Sequence, residues 1–223
     1  MQIGFQINPR PEALDGTTLD LLRGIPTPII SDNMSRMFAV GPELRPFHRG
    51  GFMIGSALTV RTRPGDNLMV HKAIDLAQPG DVIVVDAGGD LTNAIVGEIM
   101  TTLAQTRGVA GIVIDGSVRD LDAIAASDFP VYARGITHRG PYKDGPGEIN
   151  VVVNVGRQTI APGDIVVGDA DGVLAVPRSQ AAHVAELARA QMDREAGILK
   201  AIRDGSIDRS WVDEMLRAKG LKI

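Results

Sequence analysis

The stretch that most limits what this chain can fold into is Gly108–Asp120, GVAGIVIDGSVRD. Ile112-Val113-Ile114 is a short, continuous apolar run that stops abruptly at Asp115-Gly116. A run of that length bounded by turn residues reads as a buried strand. Arg119 and Asp120, a cation beside an anion, then open an apparent helix beginning Leu121-Asp122-Ala123-Ile124. A strand that hands over to a helix belongs to an α/β sheet, and the carboxyl ends of such strands are where these sheets display reactive groups. A second unit of the same kind, Val82–Val85 followed by Asp86-Ala87-Gly88-Gly89-Asp90, leads on to Gly97-Glu98. Two such ends side by side predict a small-anion and metal site.

The rest of the chain is arranged around these two units. Residues 16–24 form a short helical pattern closed by Gly24, and Pro26 and Pro28 separate it from Ile29-Ile30. Ser31-Asp32 are expected to cap a helix over Asn33–Phe38, because both side chains accept bonds from free amides. Gly55–Thr62 reads as a strand, residues 67–78 as a helix ended by Pro79-Gly80-Asp81, and residues 92–107 as another helix stopped by Gly108. Val131–Arg134 is a strand. Residues 135–148, rich in glycine and proline, form a loop, after which Asn150–Val155 and Thr159-Ile160 return to β. A long amphipathic helix covers Ser179–Arg203, and a short one lies around Trp211–Ala218. The phrase PGDVIVVDAGG at 79–89 recurs as PGDIVVGDADG at 162–172. The flanking helices do not repeat, so this reads as one way of entering a strand used twice rather than as a duplicated half-domain. The layout, β-rich at both ends around a central βαβαβ, is that of an α/β domain in layers.

With 223 residues, 44% of them hydrophobic and 22% charged, the chain has the balance of a soluble globular protein with a sizeable core. It reads as one domain, with a core over about 25–180 and a helical tail over about 179–223. There is no apolar run of the roughly 18–20 residues needed to span a bilayer, and the first residues do not have the form of a secretory signal. The absence of cysteine removes disulfides, thiolate zinc sites and thiol nucleophiles, and makes the cytoplasm the expected location. Net charge is −4 with dispersed lysines and arginines, and aromatics make up 4%, so neither a nucleic-acid nor a membrane partner is expected. A small anion needs only one local arginine.

Arg119 meets that need: it follows a glycine turn at a strand end, and a guanidinium binds a carboxylate through two parallel bonds. Asp120 has two readings, a first-turn acid that complements a helix dipole or a ligand to a hard divalent cation. If a helix begins near Gly97, its free amides face the same crevice, and Glu98 stands where it can hold a metal-bound water or move a proton. His71, among apolar residues at helical spacing, reads as a satisfied core side chain, and His138 lies in the Gly/Pro loop with Arg139 and Lys143. His48 and His183 carry no signal. No dinucleotide, P-loop, zinc-protease or nucleophile-elbow pattern occurs. Lys72 and Lys143 do not end a central strand, which weakens a Schiff-base mechanism.

The segments PGDVIVVDAGGD, GE followed by IMTTLAQTRGVAGIVIDGSVRD, ARGITHRGPYKDGPGEINVVV and APGDIVVGDADGVLAVP resemble the RraA-like family over residues 25–180. That family includes class II 4-hydroxy-4-methyl-2-oxoglutarate / 4-carboxy-4-hydroxy-2-oxoadipate aldolases and the regulator of ribonuclease activity A. The resemblance implies a swivelling β/β/α fold with central βαβ units and a C-terminal helical tail. It also implies a homotrimer or dimer of trimers, with sites near the subunit contacts. In the aldolase members it implies substrate binding at Arg119, a divalent cation (Mg²⁺, or Mn²⁺) at Asp120, and substrate and water contacts from Gly97, Glu98, Ile99 and Met100. A further glutamate comes from a neighbouring subunit's C-terminal helix, with Glu195 as its counterpart. The implied reaction is cleavage of a 4-hydroxy-2-oxo acid to pyruvate, with oxaloacetate decarboxylation through the same enolate. The alternatives are a non-catalytic trimer that inhibits a ribonuclease and a metal-dependent enzyme acting on another hydroxy acid. Many relatives carry glycine or aspartate where this chain has Glu98.

Overall fold

The computed structural model describes residues 3–12 and 16–223. They form two compact units, Met1–Ala188 and Arg189–Ile223. The first opens with strand β1 (Phe5–Ile7) and two short helices, α1 (Gly16–Leu22) and α2 (Thr27–Asp32). Strands β2 (Arg45–Pro46) and β3 (Met53–Thr62), helix α3 (Leu68–Leu76) and the long strand β4 (Asp81–Val96) follow. Helix α4 (Glu98–Thr106), strand β5 (Gly111–Val118), helix α5 (Leu121–Ala126) and strand β6 (Val131–Ile136) continue the alternation. Next come β7 (Gly147–Ile149), β8 (Val153–Val155), β9 (Gln158–Ile160), β10 (Ile165–Asp169) and β11 (Gly172–Val176). Helix α6 (Ala181–Arg203) crosses into the second unit, which ends with α7 (Ser210–Ala218). No helix among the described residues is long and apolar enough to cross a membrane.

One sheet runs in the order β1-β7-β3-β4-β5-β6-β2, with β3 through β6 mutually parallel. The other edge of β3 is shared, since β10 pairs antiparallel with Met53–Ser56 and β7 with Val60–Thr62. Side chains alternate across these strands, so the apolar runs split between two cores. Leu58, Val60, Ile83, Val85, Ile112 and Ile114 join residues of α3, α4 and α5 on one face. Ala57, Val82, Val84, Val113 and Tyr132 join the β8–β9 hairpin and β10–β11 on the other. The central strands are therefore apolar at successive positions because both faces are covered. Two β layers and one α layer result, the mixed α/β architecture expected.

The repeated phrase is one turn used twice. In each copy the glycine has positive φ (Gly80 +87°, Gly163 +83°) and the aspartate is buried. Asp81 Oδ2 accepts the Gln78 amide at 2.8 Å, and Asp164 Oδ2 accepts the Ala161 amide at 2.9 Å. The strands launched from them flank β3 in opposite directions, β4 parallel and β10 antiparallel.

The structure differs from expectation in several elements. Strand β5 runs on through Asp115-Gly116 to Val118, where a turn was expected, and β6 and β7 take both ends of the loop expected over 135–148, Gly147–Ile149 because it pairs with β3 and β1. The helix expected over 92–107 begins only at Glu98; Leu91–Val96 is strand. Gly88 and Gly89 take positive φ, shift the register and return β4 to the β5 ladder, with Asp90 opposite Gly116 and Val96 opposite Val118. Ser31-Asp32 end helix α2 rather than start one, because Pro28 sits in its first turn, where no amide donor is missed. Asn150–Val152 lie outside the strands, and Asn150 has φ of 56°.

Candidate active site

Two strand ends meet where β4 passes into α4 and β5 into α5. The Arg119 amide donates to Val96 O at 3.0 Å, which fixes Gly97 beside Arg119 and Asp120. Asp120 sits in the left-handed region (φ 60°, ψ 45°), a conformation aspartate tolerates better than most residues. Its Oδ2 accepts the Glu98 amide at 2.9 Å, so the carboxylate caps the N-terminus of α4. Charge and helix dipole are matched there. Arg119 Nε stands 3.7 Å from the same oxygen, and both side chains are about two-fifths exposed.

Gly97 is extended (φ −145°, ψ −168°), a backbone any residue adopts. What the position requires is space. A Cβ here would overlap Asp120 Oδ2 and fall 2.9 Å from Arg119 Cγ. Met100 and Thr101 donate back to Gly97 O, while the Ile99 amide has no partner among the described residues.

These groups line a cavity of about 140 Å³. The start of α3 contributes Asn67 and His71, four apart and so on one helix face. The Gly/Pro loop contributes Pro141 and Lys143. Asn67 is 2% exposed; its Nδ2 donates to Ile95 O at 2.9 Å, which fixes the amide's orientation. Asn67 Oδ1 is buried without a partner among the described residues, a costly state unless a ligand or water donates to it. Burial, and after it the charge of Lys143, pushes the His71 pKa below the ordinary histidine value, while Asp75 opposes the shift. The imidazole is thereby held neutral at pH 7. A larger hollow of about 500 Å³ beside β1, walled by Phe5, Ile7, Leu68 and Met69, has no comparable convergence of polar groups.

Of the residues singled out in the sequence, Gly97, Ile99, Met100, Arg119 and Asp120 come together in one cavity wall. Glu98 contributes its amide, but its side chain is exposed and lies outside that wall. Glu195 belongs to the second unit, where its carboxylate accepts Gln191 Nε2 at 2.8 Å. His138 is exposed in the loop. Asp115, within the same motif, is 6% exposed and structural: it accepts Arg134 Nε at 2.5 Å and the Gly156 amide at 2.8 Å. Sequence reasoning passed over Asn67, read His71 as a satisfied side chain and took Lys143 only as a cation of the Gly/Pro loop; all three line the cavity. The i, i+4 spacing of Asn67 and His71 was the available signal.

The residues present fit a hard divalent cation. Mg²⁺ takes one or two protein carboxylates and fills its other positions with water and substrate. Asp120 offers one carboxylate, whose Oδ1 has no hydrogen-bond partner among the described residues, beside a position kept free of Cβ. No group of three His, Asp or Glu side chains converges among the described residues, so a closed site of the zinc kind is not built here.

Residues 27–175 match the RraA-like family, described as Aldolase/RraA. A Halalkalibacterium halodurans protein, named as a candidate 4-hydroxy-4-methyl-2-oxoglutarate aldolase, is 40% identical over 195 residues, 87% of this chain and 93% of its own. The crystal structure of an uncharacterized protein from Pseudomonas syringae pv. tomato aligns with a TM-score of 0.79 at 29% identity, covering 88% of this chain and 97% of that one. The RNA-processing inhibitor RraA from Thermus thermophilis aligns with a TM-score of 0.64 at 30% identity, covering 68% and 92%.

Proposed function

We propose that this chain, which belongs to the RraA-like family, is a divalent-metal-dependent lyase that cleaves a 4-hydroxy-2-oxo acid of the 4-hydroxy-4-methyl-2-oxoglutarate type to pyruvate. The observation that carries this reading is the convergence of Asp120, Arg119 and the space at Gly97 on one small cavity. The names of relatives such as the Halalkalibacterium halodurans protein point the same way.

When bound at Asp120, Mg²⁺ or Mn²⁺ supplies Lewis-acid stabilisation of the negative charge that develops on the 2-oxo group. Arg119 binds a substrate carboxylate through paired donors. The unpartnered Ile99 amide, at the positive end of α4, adds a backbone donor for the same anionic end. Asn67 Oδ1 accepts from a substrate hydroxyl, which relieves its own unsatisfied burial. His71, neutral and in the same wall, takes up the proton released when the 4-hydroxyl becomes a carbonyl. Ile95, Val96, Met100 and Pro141 keep the cavity dry on the remaining sides. Oxaloacetate presents the same 2-oxo carboxylate, and its decarboxylation develops the same charge. Glu98 and Glu195 are proposed participants in proton transfer, Glu195 from a second copy of the chain in a trimer.

The test is a pyruvate-coupled assay over a panel of 4-hydroxy-2-oxo acids and oxaloacetate, with and without Mg²⁺. Asp120→Ala is expected to lower turnover by about a thousandfold or more, the scale of losing charge stabilisation at a reacting oxygen. Turnover unchanged in that variant, or in EDTA-treated enzyme, rejects the mechanism. The alternative is a non-catalytic ribonuclease regulator, favoured by the similarity to the Thermus inhibitor. It predicts no turnover on any acid and inhibition of a ribonuclease instead.

A further inference from the structure

Asp66 lies outside the cavity and is fully buried. A lone buried carboxylate is expensive unless its oxygens are filled with donors, and here they are. Oδ1 accepts the Leu68 amide at 2.9 Å. Oδ2 accepts the Asp144 amide at 2.8 Å, the Gly145 amide at 2.9 Å and Arg63 Nη2 at 3.2 Å. The three backbone donors fall in two groups. Leu68 is the first residue of α3, immediately after Asn67. Asp144 immediately follows Lys143. One carboxylate thus ties together the two cavity walls that come from outside the β4–β5 motif, each at a residue adjoining a ligand-facing side chain.

The surrounding bonds tighten the same junction. The Tyr142 amide donates to Gly65 O at 2.8 Å, the Asn67 amide donates to Tyr142 O at 3.0 Å, and Thr62 Oγ1 donates to Asp66 O at 2.8 Å. Arg63 lies over the Tyr142 ring, 5.9 Å from its centroid. Without Asp66, the loop bearing Pro141 and Lys143 keeps the Tyr142 bonds and the Arg63 stacking near α3, the Arg63 amide donating to Pro146 O at 3.3 Å beyond them, and, before them, the Ala94 amide donating to Arg139 O at 2.8 Å and Asn93 Nδ2 donating to Gly140 O at 2.5 Å; none of these reaches Lys143 or Asp144.

We infer that Asp66 is a positioning residue that sets the separation between Asn67–His71 and Lys143, and hence the grip of the cavity on its anionic ligand. The inference rests on the lyase reading for the identity of that ligand. Asn cannot replace Asp here, because its amide nitrogen cannot accept the bonds that one of the two oxygens receives.

The test uses full-length protein with Mg²⁺ and pyruvate as the probe, read by calorimetric binding and steady-state turnover. Asp66→Asn is expected to raise the pyruvate Kd and the substrate KM by about tenfold, the scale of lost hydrogen bonds to a charged group, while kcat changes by less than about threefold. Introduced into a Lys143→Ala background, the same change is expected to cost less than about twofold, because positioned partners are not additive. Equal cost in both backgrounds, or a fall in kcat at unchanged KM, overturns the inference. Arg119→Ala separates this from failure of the lyase reading. If neither Arg119→Ala nor Asp66→Asn alters pyruvate binding, the reading fails; if only Arg119→Ala does, the role of Asp66 fails. Should Asp66→Asn not fold, hydrogen exchange on the wild type decides. Pyruvate is expected to slow exchange of the Leu68, Asp144 and Gly145 amides together, and slowing confined to Glu98–Met100 overturns the inference.

Discussion

At the scale of single residues, the site depends on atoms that are missing as much as on those present. Gly97 has a backbone any residue accepts, so its role is to leave room for the Asp120 carboxylate beside Arg119. Gly97→Ala is therefore expected to leave the fold intact, with a melting temperature within a few degrees of wild type, while turnover falls about a hundredfold as Asp120 and Arg119 are pushed off position. A turnover assay beside a thermal melt checks it, and equal turnover would show that the neighbours give way freely. That Gly97 lies beside the Arg-Asp pair was expected from the sequence, because a strand handing over to a helix leaves a local mark and the family resemblance pairs the two segments. The places of Asn67, His71 and Lys143 were not. Their side chains take on meaning only when α3 and the Gly/Pro loop are brought beside β4, and hydrophobic periodicity cannot report that. Asp115 lies within the same motif but serves the fold, its oxygens occupied by Arg134 and Gly156.

At the scale of elements, the Ile112–Ile114 strand and the helix after Asp120 were read correctly from their apolar runs, but the turn expected at Asp115-Gly116 is strand, because β5 continues to Val118 alongside the returning end of β4. The helix expected over 92–107 was misplaced at its start because Leu91–Val96 also suits a helix, and only pairing with β5 makes it strand. The junction of β2 with β6 offers a pH test. His48 is buried against Tyr132 (ring centroids 5.1 Å apart), with Nδ1 3.2 Å from the Val131 amide. Burial lowers its pKa below 6.5, opposed by the bond that a protonated Nδ1 donates to Val131 O, 3.3 Å away, and by Asp128. The folded state thus binds fewer protons than the unfolded one, and stability rises with pH through this range. The contribution is fully present above 6.5 and is lost as pH falls below that value towards the folded pKa. Urea midpoints at about pH 7.5 and about pH 5.5 should differ more in wild type than in His48→Gln. An unchanged difference would assign the acid sensitivity to His71, whose shift has the same sign.

At the scale of the whole molecule, the two clusters on the faces of the central strands, and the buried apolar residues of α2, β10, β11 and α6, all lie within Met1–Ala188. A chain ending at Ala188 is expected to unfold in one cooperative transition and to keep pyruvate binding at the Arg119–Asp120 cavity. If Glu195 takes part in proton transfer, that chain binds but does not turn over; full turnover removes Glu195 from the mechanism. The long strand β3 has a further consequence, which concerns synthesis. Its parallel partner β4 leaves the ribosome soon after it, but the partner of Met53–Ser56 is β10, more than a hundred residues later along the chain. Closing a loop of that size comes late. Until Ile165–Gly168 emerge, the nascent chain carries an open, apolar strand edge able to pair with other chains. The second Pro-Gly-Asp turn, which sets β10 against β3, therefore also marks the point in translation at which the growing sheet loses that exposed edge.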